Sequence, residues 1–351
     1  MQKIIIISQY GTSHVGGVPR VVEILESILK ENKYDVLVVS EKNLTSLWLN
    51  ILMVLTFGKL KHVFVSLAAS LWLRKNAGDA LIIANGYDAF AYSADIVFAH
   101  SINAGIKHNL QESVLQKAFS ITSMIEKKAY HKCRKIVAVS ENIKHDLMTF
   151  YRISPDKIVV IENIIDSTQF YPSRQSPASK KISYCGAIKK AKGLPLLMKL
   201  AEEVSAQNTY SFELLCPHSF PEFNAFPRVF VTSASSSAEI AAHYQHSCVL
   251  FFPSKYEGFS MAVLEALACG IPVVLTEKHT GFAQTLASKF KEGIYFITPE
   301  KPLLAQIDAI VSSFDVRKSE RVVALSQKIN DHEMYKKKII DLIRGVAGNK
   351  V

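Results

Sequence analysis

The sequence has little of what would build a small disulfide-held or membrane-embedded protein. Five cysteines (Cys133, Cys185, Cys216, Cys248 and Cys269) are scattered over 351 residues, odd in number and never spaced C-x-x-C. That pattern excludes a disulfide framework and a zinc ribbon, and it places the expected work of the chain in a reducing cytoplasm. No stretch supplies the run of about 18 uninterrupted apolar residues that a spanning helix needs. The start, MQKIIIISQYG, offers four isoleucines and no cleavage site, so it reads as a first strand and not as a signal peptide. The loop after it, GTSHVGGVPR, lacks the G-x-G-x-x-G spacing of a Rossmann dehydrogenase. Charge of one sign is not concentrated either. Basic residues number 41 and acidic ones 31, and the excess is split between the halves: 19 against 15 up to residue 170, 22 against 16 beyond it. A net +10 spread in this way suits anionic substrates or lipid headgroups and gives no arm for nucleic acid.

What is present is apolar, periodic and repeated. At 49% apolar and 21% charged residues the chain can bury substantial cores, and its length suits two domains of about 170 residues each. The two halves open alike. Strand Ile4 to Ser8, loop Gly11 to Gly17, helix Pro19 to Lys30 and strand Val36 to Val39 are answered by a second such series. There strand Ile182 to Cys185, loop Gly186 to Gly193, helix Leu194 to Ala206 and strand Phe212 to Cys216 follow one another. This predicts an α/β protein with a domain over 1–172, a second over 180–330, and a last helical segment over 331–351. The proline- and serine-rich stretch 171–180 is the expected linker.

The most informative segment is VLFFPSKYEGFSMAVLEALACGIPVVLT, from Val249 to Thr276. A strand (Val249 to Phe252) runs into a loop bearing Glu257 and Gly258, then a helix bearing Glu265, then a strand from Ile271 to Leu275: one βαβ unit of a parallel sheet. Ligands of such sheets bind at the carboxyl ends of strands, where this loop lies. Val263, Leu264, Ala266, Leu267 and Ala268 make the helix apolar nearly all round. Glu265 is therefore a buried carboxylate that needs partners, and sugar hydroxyls can supply them. Eight helical residues separate two side chains by about 80° and about 12 Å, so Glu257 and Glu265 can address opposite ends of one elongated ligand. The backbone N–H groups of Gly258, Phe259 and Ser260 lie between them at the expected helix start, where an anion is favoured. Hydroxyls, phosphate and ribose in a row describe a nucleotide-sugar.

Glu257-x7-Glu265 within PSKYEGFSMAVLEALACGIPVV resembles the signature of the family 4 retaining glycosyltransferases. The resemblance implies the GT-B fold, two Rossmann-like α/β/α domains facing each other across a cleft, with residues 331–351 crossing back onto the first. It implies a hexosyltransferase that uses a nucleotide-sugar, expected to be UDP-linked. The acceptor would be a glycan or glycolipid such as lipopolysaccharide or a surface polysaccharide. By the same resemblance Glu257 would bond hydroxyls of the transferred sugar, Gly258, Phe259 and Ser260 would hold sugar and phosphate, and Glu265 would grip the ribose. Lys192 and Lys190, in Gly186-Ala-Ile-Lys-Lys-Ala-Lys-Gly193, would neutralise the diphosphate. Gly16-Gly17 matches the family's turn near the donor phosphate, with Arg20 adding charge. His100, after the apolar strand Ile96 to Ala99, matches the histidine that members place beside the transferred sugar. No D-x-D triplet occurs, so no metal and no other cofactor is expected.

The chain departs from the pattern in places. Ala187 stands where members carry an arginine, which Lys189 or Lys190 would have to replace with a point charge. Glu162 and Ile164 replace the usual proline and glycine in the segment from Val159 to Asp166. Two rival readings stay open: a catalytically silent nucleotide-sugar-binding subunit, and a nucleotide-sugar epimerase or phosphorylase on the same fold. The aromatic, apolar region 44–73, interrupted by Gly58, Lys59, Lys61 and His62, reads either as two core helices or as a hairpin facing an anionic membrane surface. In the second reading Trp48, Trp72, Lys59, Lys61, Arg74 and Lys75 would lie at headgroup level, reinforced by the basic residues between Lys127 and Lys135.

Overall fold

The computed structural model describes residues 2–12, 16–44, 61–110, 121–173, 180–234, 236–276 and 280–348. The chain divides into two compact units, the first formed by 1–163 with 332–351 and the second by 164–331.

In the first unit six strands, β1 (Lys3–Ile7), β2 (Asp35–Val39), β3 (Leu81–Asn85), β4 (Ile96–Ala99), β5 (Lys135–Ala138) and β6 (Ile158–Val160), form one sheet. Its order is β2-β1-β3-β4-β5-β6 and every pairing is parallel. A parallel sheet is covered on both faces, which is why Ile4, Ile5, Ile6 and Ile7 can be consecutive and all buried. The helix Gly17–Glu31 follows β1 and turns Val21, Val22, Leu25, Ile28 and Leu29 inward, as its spacing predicts. The helix Lys61–Asn76 buries Val65, Ser66, Ala69, Ser70 and Leu73 while leaving Leu67 and Leu71 on the surface. Within the 44–73 region, residues 45–60, with Trp48, Gly58 and Lys59, lie outside the described residues. The helix His332–Gly348 belongs to this unit. Lys336 donates to Glu31, and Arg134 to the carbonyl of Val346.

The second unit is built on β7 (Lys180–Cys185), β8 (Tyr210–Leu215), β9 (Val229–Thr232), β10 (Val249–Phe251), β11 (Tyr256–Glu257), β12 (Val273–Thr276), β13 (Thr280–Gly281) and β14 (Ile294–Ile297). The main sheet runs β14-β12-β10-β7-β8-β9, and β11 with β13 makes a separate parallel pair. The division of the chain falls at residue 163, short of the linker at 171–180 that the sequence suggested. The cause is packing. Asn330 bonds both backbone groups of Ile165, Phe170 lies against Tyr244, and Gln245 donates to the carbonyl of Tyr171, so 164–173 is held by the second unit.

Each sheet has one strand from which the chain winds first to one side and then to the other. In the first sheet the reversal falls between β1 and β3, in the second between β7 and β10. Ligands of such sheets bind at the carboxyl edge beside the strands where the order reverses.

Candidate active site

At the reversal point of the second sheet two loops meet. The first leaves β7 at Gly186, makes one 3₁₀ turn over Lys190–Lys192 and ends at Gly193, the residue before the helix Leu194–Ser205. The second leaves β10 at Phe252 and reaches the helix Met261–Ala268. Gly193 has φ +83°, and a Cβ there would stand 2.3 Å from the carbonyl oxygen of Pro253. No residue but glycine fits. Beside it the N–H of Lys255 donates to the carbonyl of Ala191 at 3.0 Å. The loops are thus fastened backbone to backbone, and this seats Lys192 against Glu257: the ammonium donates to the carboxylate in an ion pair, with the side chains 32% and 11% exposed. Glu257 is held from its other side too, because β11 pairs with β13, Glu257 opposite Gly281.

The helix that the sequence suggested near Gly258 begins at Met261 instead, with Ser260 before it. The Ser260 hydroxyl accepts from the N–H of Val263 at 3.4 Å, a cap that ends the preceding loop. Gly258 and Phe259 therefore precede the helix, and their N–H groups belong to the loop. Lys189 and Lys190 stay exposed at the turn. Ala187, in the place of the expected arginine, has its carbonyl tied by the Tyr184 hydroxyl at 2.9 Å. Glu265 lies two turns into the helix and is fully buried. The Tyr244 hydroxyl, from the neighbouring helix Ser237–Gln245, donates to its Oε2 at 3.5 Å. A ribose would reach this carboxylate only if the atoms covering it shifted.

The first unit builds its own edge from β1, β3 and β4. His100, just past β4, bonds through Nε2 to Oδ1 of Asn85 at 2.8 Å and stacks on Phe98. Asn85 ends β3, and its Nδ2 donates to the carbonyl of Ile7 at 3.1 Å. Since that carbonyl only accepts, the amide is oriented with its oxygen toward the ring. Nε2 must then carry the proton, leaving the Nδ1 lone pair as the acceptor of a neutral ring. Burial pulls the His100 pKa down to about 4, in keeping with that state. Asp88, on the loop after β3, accepts from the N–H of Gln9 at 2.9 Å, and burial raises its carboxyl to about 7. Gln9 in turn donates to Ser66 and to the carbonyl of His62. A cavity of about 570 Å³ opens beside them, lined by Gln9, Tyr10, Gly11, Thr12, Ser40 and Glu41 among others. Gly16, at φ +110°, needs glycine, whereas Gly17 is the first residue of the helix. Arg20 is buried and its Nε donates back to the carbonyl of Gly16 at 3.3 Å.

Sequence reasoning thus named Lys192, Glu257 and His100, and the structure joins the first two directly. It missed Asn85, Asp88 and Gln9. Little in the sequence signalled them: Asn85 ends β3 and Gln9 follows β1 by two residues, places that look like ordinary strand ends. Among the described residues no group of three or more His, Cys, Asp or Glu side chains is placed to hold a metal ion. None of the described helices is long and apolar enough to cross a membrane.

Comparison with known proteins places both halves. Residues 15–169 match the family model described as Glycosyltransferase Family 4, and residues 179–313 match that described as Glycosyl transferases group 1. The capsular polysaccharide biosynthesis glycosyltransferase CapM of Staphylococcus aureus is 26% identical over 199 residues, 50% of this chain and 52% of that protein. The chain spans about half or less of the length of the curated relatives it matches. Among solved structures, sucrose-phosphate synthase from Thermosynechococcus elongatus aligns with a TM-score of 0.76 at 16% identity, covering 99% of this chain and 100% of that one. Anabaena HepE, solved in complex with UDP-glucose, aligns with a TM-score of 0.70 at 15% identity, covering 98% and 100%. These likenesses establish the two-domain α/β architecture named GT-B.

Proposed function

Because this chain belongs to the family 4 glycosyltransferases, we propose that it is a retaining hexosyltransferase that takes its sugar from a nucleotide-sugar, UDP-linked in the first instance, and passes it to a glycan or glycolipid. The observation that carries the reading is the Lys192–Glu257 pair at the reversal point of the second sheet. A cation and a carboxylate side by side match the two needs of such a donor, a diphosphate to neutralise and sugar hydroxyls to orient. UDP-glucose bound to HepE and the polysaccharide role in the name of CapM support the donor and acceptor classes.

In this reading Lys192, with loop N–H groups at Gly258 and Phe259, holds the diphosphate, and Glu257 accepts from hydroxyls of the sugar. His100 offers the lone pair of Nδ1 to a hydroxyl without adding charge. The bond from the anomeric carbon to the diphosphate oxygen breaks while the acceptor oxygen bonds the same face of that carbon. The acceptor's proton passes to the departing diphosphate oxygen, so no separate base residue is required. Negative charge is met by lysine and backbone donors, and the reaction proceeds without a divalent ion. Glu265 grips the ribose if its cover opens, and Glu265→Gln, which keeps the shape of the side chain, tests that role with less cost to the core than Glu265→Ala.

The deciding experiment offers the protein UDP-glucose, UDP-galactose, UDP-GlcNAc and GDP-mannose, first by thermal shift and then in transfer assays with oligosaccharide and lipid-linked acceptors. Transfer with the donor's anomeric configuration kept, read by NMR and undiminished by a chelator, is the expected result. Binding without any turnover would favour the silent-subunit reading, and donor isomerisation without acceptor would favour an epimerase. A second proposal concerns location. Leu67 and Leu71 are 39% and 50% exposed on the helix that ends in Arg74 and Lys75, an apolar and basic surface suited to the anionic cytoplasmic leaflet. Flotation with anionic vesicles, lost in a Leu67→Ser/Leu71→Ser variant, is the expected outcome.

A further inference from the structure

The ion pair that supports the donor site also sets its two duties against each other. The ammonium of Lys192 can hold a diphosphate only by leaving or sharing the carboxylate of Glu257. The backbones that carry the two groups are fixed: Lys192 closes a single turn that ends at Gly193, wedged against Pro253. Glu257 is anchored through β11 to Thr280 and Gly281. A diphosphate that takes Lys192 therefore comes to rest beside a carboxylate that has just lost its partner, and the two negative charges repel at short range.

We propose that Glu257 is a specificity-determining residue which, by holding Lys192, makes the site prefer a nucleotide-sugar over a sugar-free diphosphate. A nucleotide-sugar brings hydroxyl donors to the carboxylate as its diphosphate takes the ammonium, so both partners of the pair are satisfied again. A bare nucleoside diphosphate, or pyrophosphate, leaves the carboxylate unmatched. Discrimination here comes from a group left unpaired by the wrong ligand, the usual source of strong rejection in a polar site. The same imbalance arises after transfer, when the sugar has gone and the diphosphate remains, so the pair also favours release of the product. This inference rests on the donor-site reading above and adds to it which ligands that site refuses.

Calorimetric titration of the whole chain separates the two. The ligands are pyrophosphate, UDP, GDP, UDP-glucose and GDP-mannose, and the proteins are wild type, Glu257→Gln and Glu257→Asp. Glu257→Gln is expected to bind pyrophosphate and the preferred nucleoside diphosphate about tenfold more tightly, in the range of ordinary coupling between neighbouring interactions. Affinity for the matching nucleotide-sugar stays level or falls, so the preference narrows or inverts. Glu257→Asp, whose shorter side chain draws back from Lys192, moves the same way by less and serves if the first variant does not fold. Unchanged or weaker diphosphate binding in the folded variants overturns the inference while leaving the donor site in place. Failure of the wild type to bind either nucleotide-sugar overturns the donor site, and the inference with it.

Discussion

At the carboxyl edge of the second sheet a lysine and a glutamate stand in an ion pair, held by two loops fastened through Gly193 and Lys255. At the same edge of the first sheet the side chains of His100, Asn85, Gln9 and Asp88 are polar and carry little charge, although Glu41 and Lys42 also line the cavity there. His100 is kept neutral with its pKa near 4, Asn85 and Gln9 are amides, and Asp88 titrates only near 7. Both sheets are parallel and reverse direction beside their first strand, though after one neighbouring strand in the first and two in the second, so strand order does not by itself set the charge. Desolvation does. The first edge lies close against the helix Lys61–Asn76, through Gln9 and Ser66, and burial there disfavours charge on either an acid or a base. One edge is suited to grip an anion and the other to sort neutral hydroxyls, the division that sugar transfer from a nucleotide requires.

The comparison breaks most visibly at Lys192. Lys192→Met keeps the length of the side chain and removes the charge, and it should lower transfer by about 10² to 10³-fold, mainly through lost donor affinity. Thermal stability should fall as well, because Glu257, only 11% exposed, is left without its cation, so transfer is measured at a temperature where the variant stays folded. A variant that binds its nucleotide-sugar normally would place the anion elsewhere and dissolve the contrast. The matching change on the other edge is His100→Asn. It should reduce turnover by about 10 to 10²-fold, the size of one well-placed polar contact in the transition state, with donor affinity left within about twofold. Titration and single-turnover assays separate the two quantities. If both variants lost affinity alike, the edges would not divide the work.

Much of this was legible in the sequence. Strands of consecutive isoleucine and valine, helices with one apolar stripe and the spacing from Glu257 to Glu265 gave two parallel-sheet units and the loop that matters. Lys192 was legible through the family resemblance, which expects a lysine before the second glycine of this loop. Pairing between residues far apart in sequence was not. That Glu257 rests in the β11–β13 bridge, or that Gly193 must be glycine because of the Pro253 carbonyl, depends on contacts no local pattern announces. The burial of Glu265 was inferred correctly from its apolar neighbours, yet its hydroxyl partner is Tyr244, twenty-one positions earlier in the chain. Asn85 was missed because an amide ending an apolar strand looks like an ordinary strand end until its two bonds are seen.

A subtler difference should show in stability against pH. His100 titrates near 4 in the folded chain, below its usual 6.5, so acidification from about 6.5 toward 4 costs stability as the unfolded chain takes up a proton the folded one refuses. Asp88 and Glu126 titrate near 7, above the usual 3.8 and 4.5, so their contribution is fully present at low pH and is lost as pH rises toward 7. Glu213, held down to about 2 by the His243 ring 3.6 Å away and by the Lys181 ammonium, acts below this window. Between about pH 4.5 and 6.5 these three groups together hold one proton more in the folded chain than in the unfolded, so their joint contribution to stability should fall by roughly 1.4 kcal/mol per pH unit of rise. Asp88→Asn removes one of the two opposing acids, and denaturant titrations of that variant should give a nearly flat profile.

The smallest effect sharpens the contrast by carrying the charge of one edge into the other. Asn85→Asp keeps the shape of the side chain and sets a carboxylate against Nε2 of His100, much as Glu257 stands against Lys192. The imidazolium then gains a partner, and the His100 pKa should climb from about 4 by about one unit or more, as an opposite charge at hydrogen-bond distance does. Part of the gain is offset, because the carbonyl of Ile7 loses the Nδ2 donor it has in the wild type and faces an acceptor instead. NMR titration of the ring resonances measures the shift directly, and transfer assays report whether acidity moves with it, since protonation fills the Nδ1 lone pair. A ring that still titrates near 4 beside an aspartate would mean that burial alone governs this edge and that Asn85 only aligns the ring.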